Sequence, residues 1–238
     1  MRVYEILTNG GSVTKENLLM LVAFIVALFV ALILHEIAHG LVALWNGDNT
    51  AKVYGRLSIN PLRHFDLTGL LLMFLVGFGW AKPVPVNASN FRNHKLGAIT
   101  VSIAGVLTNI IIAFFSAMGA VLIGNVKVGN MSESMYFFVY FCYALMYMLM
   151  GLNISFALFN ILPLYPLDGY RLLSSFVPQS NKFMTFLRKY SLYIILGLML
   201  LDFIPYVSYY SPLNLYIGRF GGIIQDGFCS FWRLIFNV

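Results

Sequence analysis

The sequence predicts an all-α, multi-pass membrane protein, with about four to six membrane segments. Three observations carry this. Hydrophobic residues make up 60% of the 238 and charged residues only 10%, whereas soluble domains run at roughly 45–50% and about 25%. The mean hydropathy is +0.81. The apolar residues are gathered into runs long enough to cross about 30 Å of hydrocarbon as helices.

Residues 1–17 are a polar N-terminal segment without an apolar run, so no cleavable leader is expected. Residues 18–204 form the membrane-embedded core. Its first helix, 18–45, is apolar apart from His35, Glu36 and His39. Residues 46–66 are polar. Their stretch Lys52–Asn60 alternates enough to suggest a short β-hairpin, whose edge could hold an extended peptide. Residues 69–80 are apolar but too short to cross, which predicts a re-entrant segment. An irregular, proline-bearing loop follows to about residue 95. Further spanning helices are expected over 96–124, 135–162 and 183–204, with 163–182 extended or turning between the last two. Residues 205–238 carry Arg219, Gln225, Asp226 and Arg233 among aromatics, as an interfacial helix or a further span would.

The net charge of +6 does not imply nucleic acid, because the cations sit in loops. Residues 46–95 hold Lys52, Arg56, Arg63, Lys82, Arg92 and Lys95, and residues 163–189 hold Arg171, Lys182, Arg188 and Lys189. The loop between the second and third spans has only Lys127. The positive-inside rule places the two cationic stretches in the cytoplasm and the N-terminus outside. Cys142 and Cys229 are isolated and give neither metal spacing nor a disulfide framework.

His35 and His39 are four residues apart and share one helix face, so both imidazoles can reach one ion. Glu36 beside them can take a proton from water. HExxH on a helix is a zinc-protease pattern for that reason. Ionisable groups inside a membrane helix are costly and functional by default. A catalytic zinc usually has three protein ligands. Asp168, Asp202 and Asp226 are the acidic candidates, and Asp168 is best placed, because the loop charges put it on the same side as the His pair. His64 lies in a polar loop. It could support the site through Asp66, although a plain loop contact explains it as well.

"HEIAHG" in a membrane helix, followed by "NILPLYPLDG" at 160–169, resembles the site-2 protease family of intramembrane zinc metalloproteases. "AGVLTN" at 104–109, "NPLRHFD" at 60–66 and "GWAKPVPVN" at 79–87 are similar to segments of its compact prokaryotic members, which lack PDZ and CBS domains. The resemblance implies one zinc per chain, held by His35, His39 and Asp168, with Glu36 as base. It also implies Asn160 as a group that binds the substrate or the oxyanion, and supporting roles for Asn109 and Gly169. Two departures, Val106 for proline and Tyr170 for glycine, touch no ligand.

The expected function is an intramembrane zinc endopeptidase of the cell membrane, with its site towards the cytoplasm. It would act on transmembrane proteins or membrane-inserted peptides. Two other classes stay open, a membrane metal-ion transporter and a catalytically silent membrane-protein binder. A transporter would need a second ligand set, and a binder would be expected to have lost a ligand or the glutamate.

Overall fold

The computed structural model describes residues 14–64, 66–69, 71, 82–127, 129, 131–202, 204, 206–207 and 210–238. Its helices are α1 (Lys15–Trp45), α2 (Thr50–Val53), α3 (His94–Gly124), α4 (Glu133–Asn160), α5 (Asp168–Ser174), α6 (Lys182–Leu201) and α7 (Pro212–Phe236). Four of them, α1, α3, α4 and α6, are long and apolar enough to cross a membrane. No strand occurs among the described residues.

Local chemistry sets where these helices begin. Thr14, Asn93, Ser132 and Asn181 each accept a backbone N–H from the first turn of α1, α3, α4 and α6. That satisfies donors which a helix cannot satisfy internally.

α1, α3 and α4 form the core, with α3 antiparallel to the other two. Lys15 and Glu133 meet at 2.7 Å, which sets the N-terminal ends of α1 and α4 side by side. The pair is exposed, so it reports the arrangement more than it stabilises it. Lipid gives little hydrophobic drive for helix association, so close packing has to supply it. Small residues permit that packing: Ala23, Ala27 and Ala31 on α1, Ala113 and Ala117 on α3, and Ala144 and Ala157 on α4 are all buried. Phe24 and Leu28 of α1 then pack on Met148 and Leu149 of α4.

α7 does not lie alone on a surface. Its Ile224, Phe228, Cys229 and Trp232 cover Ala113, Ala117, Met150 and Ile154 of α3 and α4. The Trp232 indole N–H donates to the Phe114 carbonyl at 2.8 Å.

Two expectations are corrected. Lys52–Asn60 does not form a hairpin, so no strand edge is available there for a peptide. Instead α2 ends in a turn at Gly55, whose φ is +64°. Side chains then take the carbonyls that a strand partner would have taken. Arg63 donates to Gly55 O at 2.6 Å, His64 Nε2 donates to Ser58 O at 2.6 Å, and Arg56 donates to Arg63 O. Residues 163–182 are not wholly extended either. α5 begins at Asp168, with a carboxylate in its first turn that suits the helix dipole. The expected re-entrant segment 69–80 lies almost entirely outside the described residues.

The segment 82–91 forms a strap under the C-terminal end of α1. The buried Asp48 carboxylate accepts from Asn87 N at 2.7 Å and from Asn90 Nδ2 at 2.8 Å, as well as from Thr50. Burial pushes this carboxyl up, but those hydrogen bonds outweigh it and hold the group below the usual carboxylate range. Asp48→Ala should therefore orphan buried donors and cost about 1–3 kcal/mol, read as a lower Tm in detergent. In the wild type the same contribution is present above the ordinary carboxylate pKa of about 3.9. It is lost as the pH falls through the lowered folded value.

Candidate metal centre

Three ligand atoms meet inside the bundle. His35 Nε2 and His39 Nε2 are 3.0 Å apart. Asp168 Oδ2 lies 3.2 Å from the first and 3.0 Å from the second. All three residues are buried. Among the described residues they are the one group of three His, Cys, Asp or Glu side chains close enough to share an ion. The other acidic candidate in a described helix, Asp226, is exposed on α7.

The histidines come from one helix face by their spacing. They sit about 30 and 36 Å along α1 from Lys15, at 1.5 Å per residue, so the site lies near the C-terminal end of that span. Asp168 is brought up by α5, which packs against α3. Behind it, Tyr170 is buried on Met184 and Leu187 of α6. The second oxygen, Asp168 Oδ1, faces the guanidinium of Arg171 at 3.9 Å.

The remaining ring nitrogens show what this group is for. His35 Nδ1 is 3.1 Å from Asn109 Oδ1, and His39 Nδ1 is 2.7 Å from the Val101 carbonyl. Both partners are acceptors, so each ring carries its hydrogen on Nδ1. With neutral rings both Nε2 atoms present lone pairs to each other and to a carboxylate oxygen. That arrangement favours a shared cation. Adjacent ligands of a tetrahedral zinc at about 2.0–2.1 Å stand roughly 3.3 Å apart, close to the spacing found. The donor set suits zinc.

Residues 23–202 match Peptidase family M50. The chain belongs to that family. It is also 40% identical to YwhC of Bacillus subtilis (strain 168) over 159 residues, which are 65% of this chain and 68% of YwhC; the name of that protein proposes a zinc metalloprotease. No solved structure matches the chain.

This M50 protein is therefore a zinc metalloprotease with a multi-pass membrane core and a buried His-His-Asp group as its candidate metal site. The expectation drawn from "HEIAHG" and "NILPLYPLDG" is borne out at the level of family and chemistry.

The structure adds residues that the motifs alone did not assign. Gly105 on α3 faces the two imidazoles, and a Cβ there would collide with both rings. Val101, one turn earlier, supplies the carbonyl that orients His39. The Gly and Asn of "AGVLTN" were a signal, since residues four apart share a helix face. Which face met the histidines required the packing of α3 on α1. Gly169 has a similar role: a Cβ there would run into the Ile161 and Leu162 carbonyls at the end of α4. His64 is not at this centre by any contact the structure shows. It is fully buried, its Nε2 faces Ser58 O, and Asp66 instead accepts from Gly69 N at 3.0 Å. Asn160 is the last residue of α4, where its Nδ2 donates to Phe156 O at 3.0 Å.

Two outcomes are expected. Asn109→Ala frees the His35 ring and should weaken zinc binding by roughly 10–100-fold, measured by competition with a chromogenic chelator. Gly105→Ala displaces the imidazoles, so the purified variant should hold well under one zinc per chain while remaining helical by circular dichroism.

Proposed function

We propose that this protein hydrolyses peptide bonds within or beside the transmembrane segments of other membrane proteins, from a site open to the cytoplasm. One observation carries the reading: His35, His39 and Asp168 converge to 3.2 Å or less at one end of a membrane-spanning helix, with Glu36 beside them. A zinc site at that depth serves substrates that are themselves in the membrane.

The orientation follows from the loops. The C-terminal ends of α1 and α4 and the N-terminal end of α3 lie at the metal end of the bundle. The cationic stretches 46–95 and 163–189 leave from that end. The positive-inside rule then puts the metal on the cytoplasmic side.

His35, His39 and Asp168 hold the ion, which when bound polarises a peptide carbonyl and acidifies water. Glu36 is the general base. It takes one proton from the attacking water as the oxygen bonds to the carbonyl carbon, and returns it to the amine as the C–N bond breaks. Asn160 gives one amide hydrogen to Phe156 O. Its second hydrogen serves the developing oxyanion. A substrate helix has its own amides bonded internally, so it must unwind locally before attack.

The test uses tagged single-span proteins co-expressed with the wild type and with Glu36→Gln. The variant should keep its zinc and lose cleavage by roughly 10²–10⁴-fold. Equal cleavage by both would end the proposal. A proline or glycine placed next to the scissile bond should speed cleavage by the wild type, checked by initial rates on matched substrates.

A further inference from the structure

The Glu36 side chain is not free to choose its orientation. Its Oε2 accepts the backbone N–H of Val84 at 2.8 Å. Val84 is buried and sits in the strap, between Pro83 and Pro85. One carboxylate oxygen is therefore committed to the strap, and Oε1 is left for water. The direction in which the base points thus depends on where the strap puts one amide.

A buried cation sets that position. Arg56 is 8% exposed. Its Nη2 donates to Lys82 O at 2.6 Å and to Pro83 O at 3.0 Å, and its Nη1 donates to Arg63 O. Among the described residues it forms no ion pair with a carboxylate. Taking a guanidinium out of water without a counter-ion is costly. Three carbonyls from two loop segments offset part of that cost through the two Nη atoms, while the buried Nε has no partner. The Lys82 N–H adds a backbone bond to His64 O at 2.8 Å. Arg56 therefore closes the two residues immediately before Val84 onto the loop after α1. The planar fork of arginine suits several carbonyls at once, which a lysine point charge does not.

We propose that Arg56 is a positioning residue for the catalytic base. It holds Lys82 and Pro83 so that the Val84 amide fixes Glu36 Oε2 and leaves Oε1 directed at the water. The proposal rests on the reading of Glu36 as general base. Small misplacements of a catalytic group cost about 10²-fold in rate, so the strap is a sensitive point despite its distance in sequence from the metal ligands.

The experiment has one arm without activity and one with it. Amide hydrogen exchange at Val84 is measured on the zinc-loaded protein in detergent, for wild type, Arg56→Ala and Glu36→Ala. Both variants should speed exchange at Val84, by about tenfold or more if the bond is as protective as expected. Wild-type protection in Arg56→Ala overturns the proposal, whatever the protein cleaves. In the second arm a tagged single-span protein cut by the wild type and spared by Glu36→Gln is the probe. Arg56→Ala should keep one zinc per chain and lower kcat by roughly 10–100-fold, with KM little changed. Added guanidinium should restore part of the rate.

Val84→Pro removes the amide hydrogen and leaves Arg56 in place. It should reproduce the kcat loss, and the double variant should be no slower than the slower single variant. Losses that multiply, or a rate loss that guanidinium does not recover in a zinc-loaded protein, overturn the proposal. Should Arg56→Ala fail to fold, Val84→Pro carries the test alone, and unchanged cleavage by it overturns the proposal. If every tagged protein cut by the wild type is cut equally by Glu36→Gln, the reading of Glu36 as general base fails instead.

Discussion

Three acceptor atoms facing one another among buried side chains are the constraint on which this molecule is built. His35 Nε2, His39 Nε2 and Asp168 Oδ2 lie 3.0–3.2 Å apart. Each histidine has its proton drawn to the far side of the ring by an acceptor on α3. Without a cation this is a cluster of lone pairs, costly in any low-dielectric setting. With one it is a metal site whose ligands are already in the required tautomer. Much of the surrounding packing serves this convergence. α3 must come close, hence Gly105. α5 must start at the ligand, hence Gly169 against the α4 carbonyls. α6 covers Tyr170 and so backs α5.

A second layer holds Glu36, the residue proposed as general base. Glu36 has no freedom set by its helix alone, since its carboxylate meets an amide almost fifty residues later in the chain. That amide belongs to a strap pinned at both ends by charges near the α1 terminus. Asp48 grips Asn87 and Asn90, and Arg56 grips Lys82 and Pro83. Both charges are buried; Arg56 binds backbone carbonyls, and Asp48 binds two backbone amides and two side chains. In a loop with no strand partner, this is how peptide groups are satisfied away from water. The stretch that alternates like a hairpin uses Arg56 for the same purpose.

Much of the fold could be read from local signals. Apolar runs placed the long helices within a few residues of α1, α3, α4 and α6. Thr14, Asn93, Ser132 and Asn181 explain where those helices start. The candidate metal ligands were readable too, because an i, i+4 pair declares a shared face and loop charges put Asp168 on the same side. The hairpin expectation failed because alternation registers side-chain pattern and not what the carbonyls bond to. The short helix at Asp168 was missed because seven residues among prolines carry too little periodicity to stand out.

The sequence by itself determined the membrane character, the approximate bounds of the long helices, the family and the candidate metal ligands. These depend on composition, short motifs and the distribution of loop charge. Only the tertiary structure decided the tautomers of His35 and His39, the need for Gly105, and the line from Arg56 through the strap to Glu36. Those depend on which faces meet once α1, α3 and the loops between them are packed. Whether a carbonyl or an amide ends within hydrogen-bond reach of a side chain is a matter of ångströms across elements 26 to 74 residues apart, a distance at which no local pattern acts.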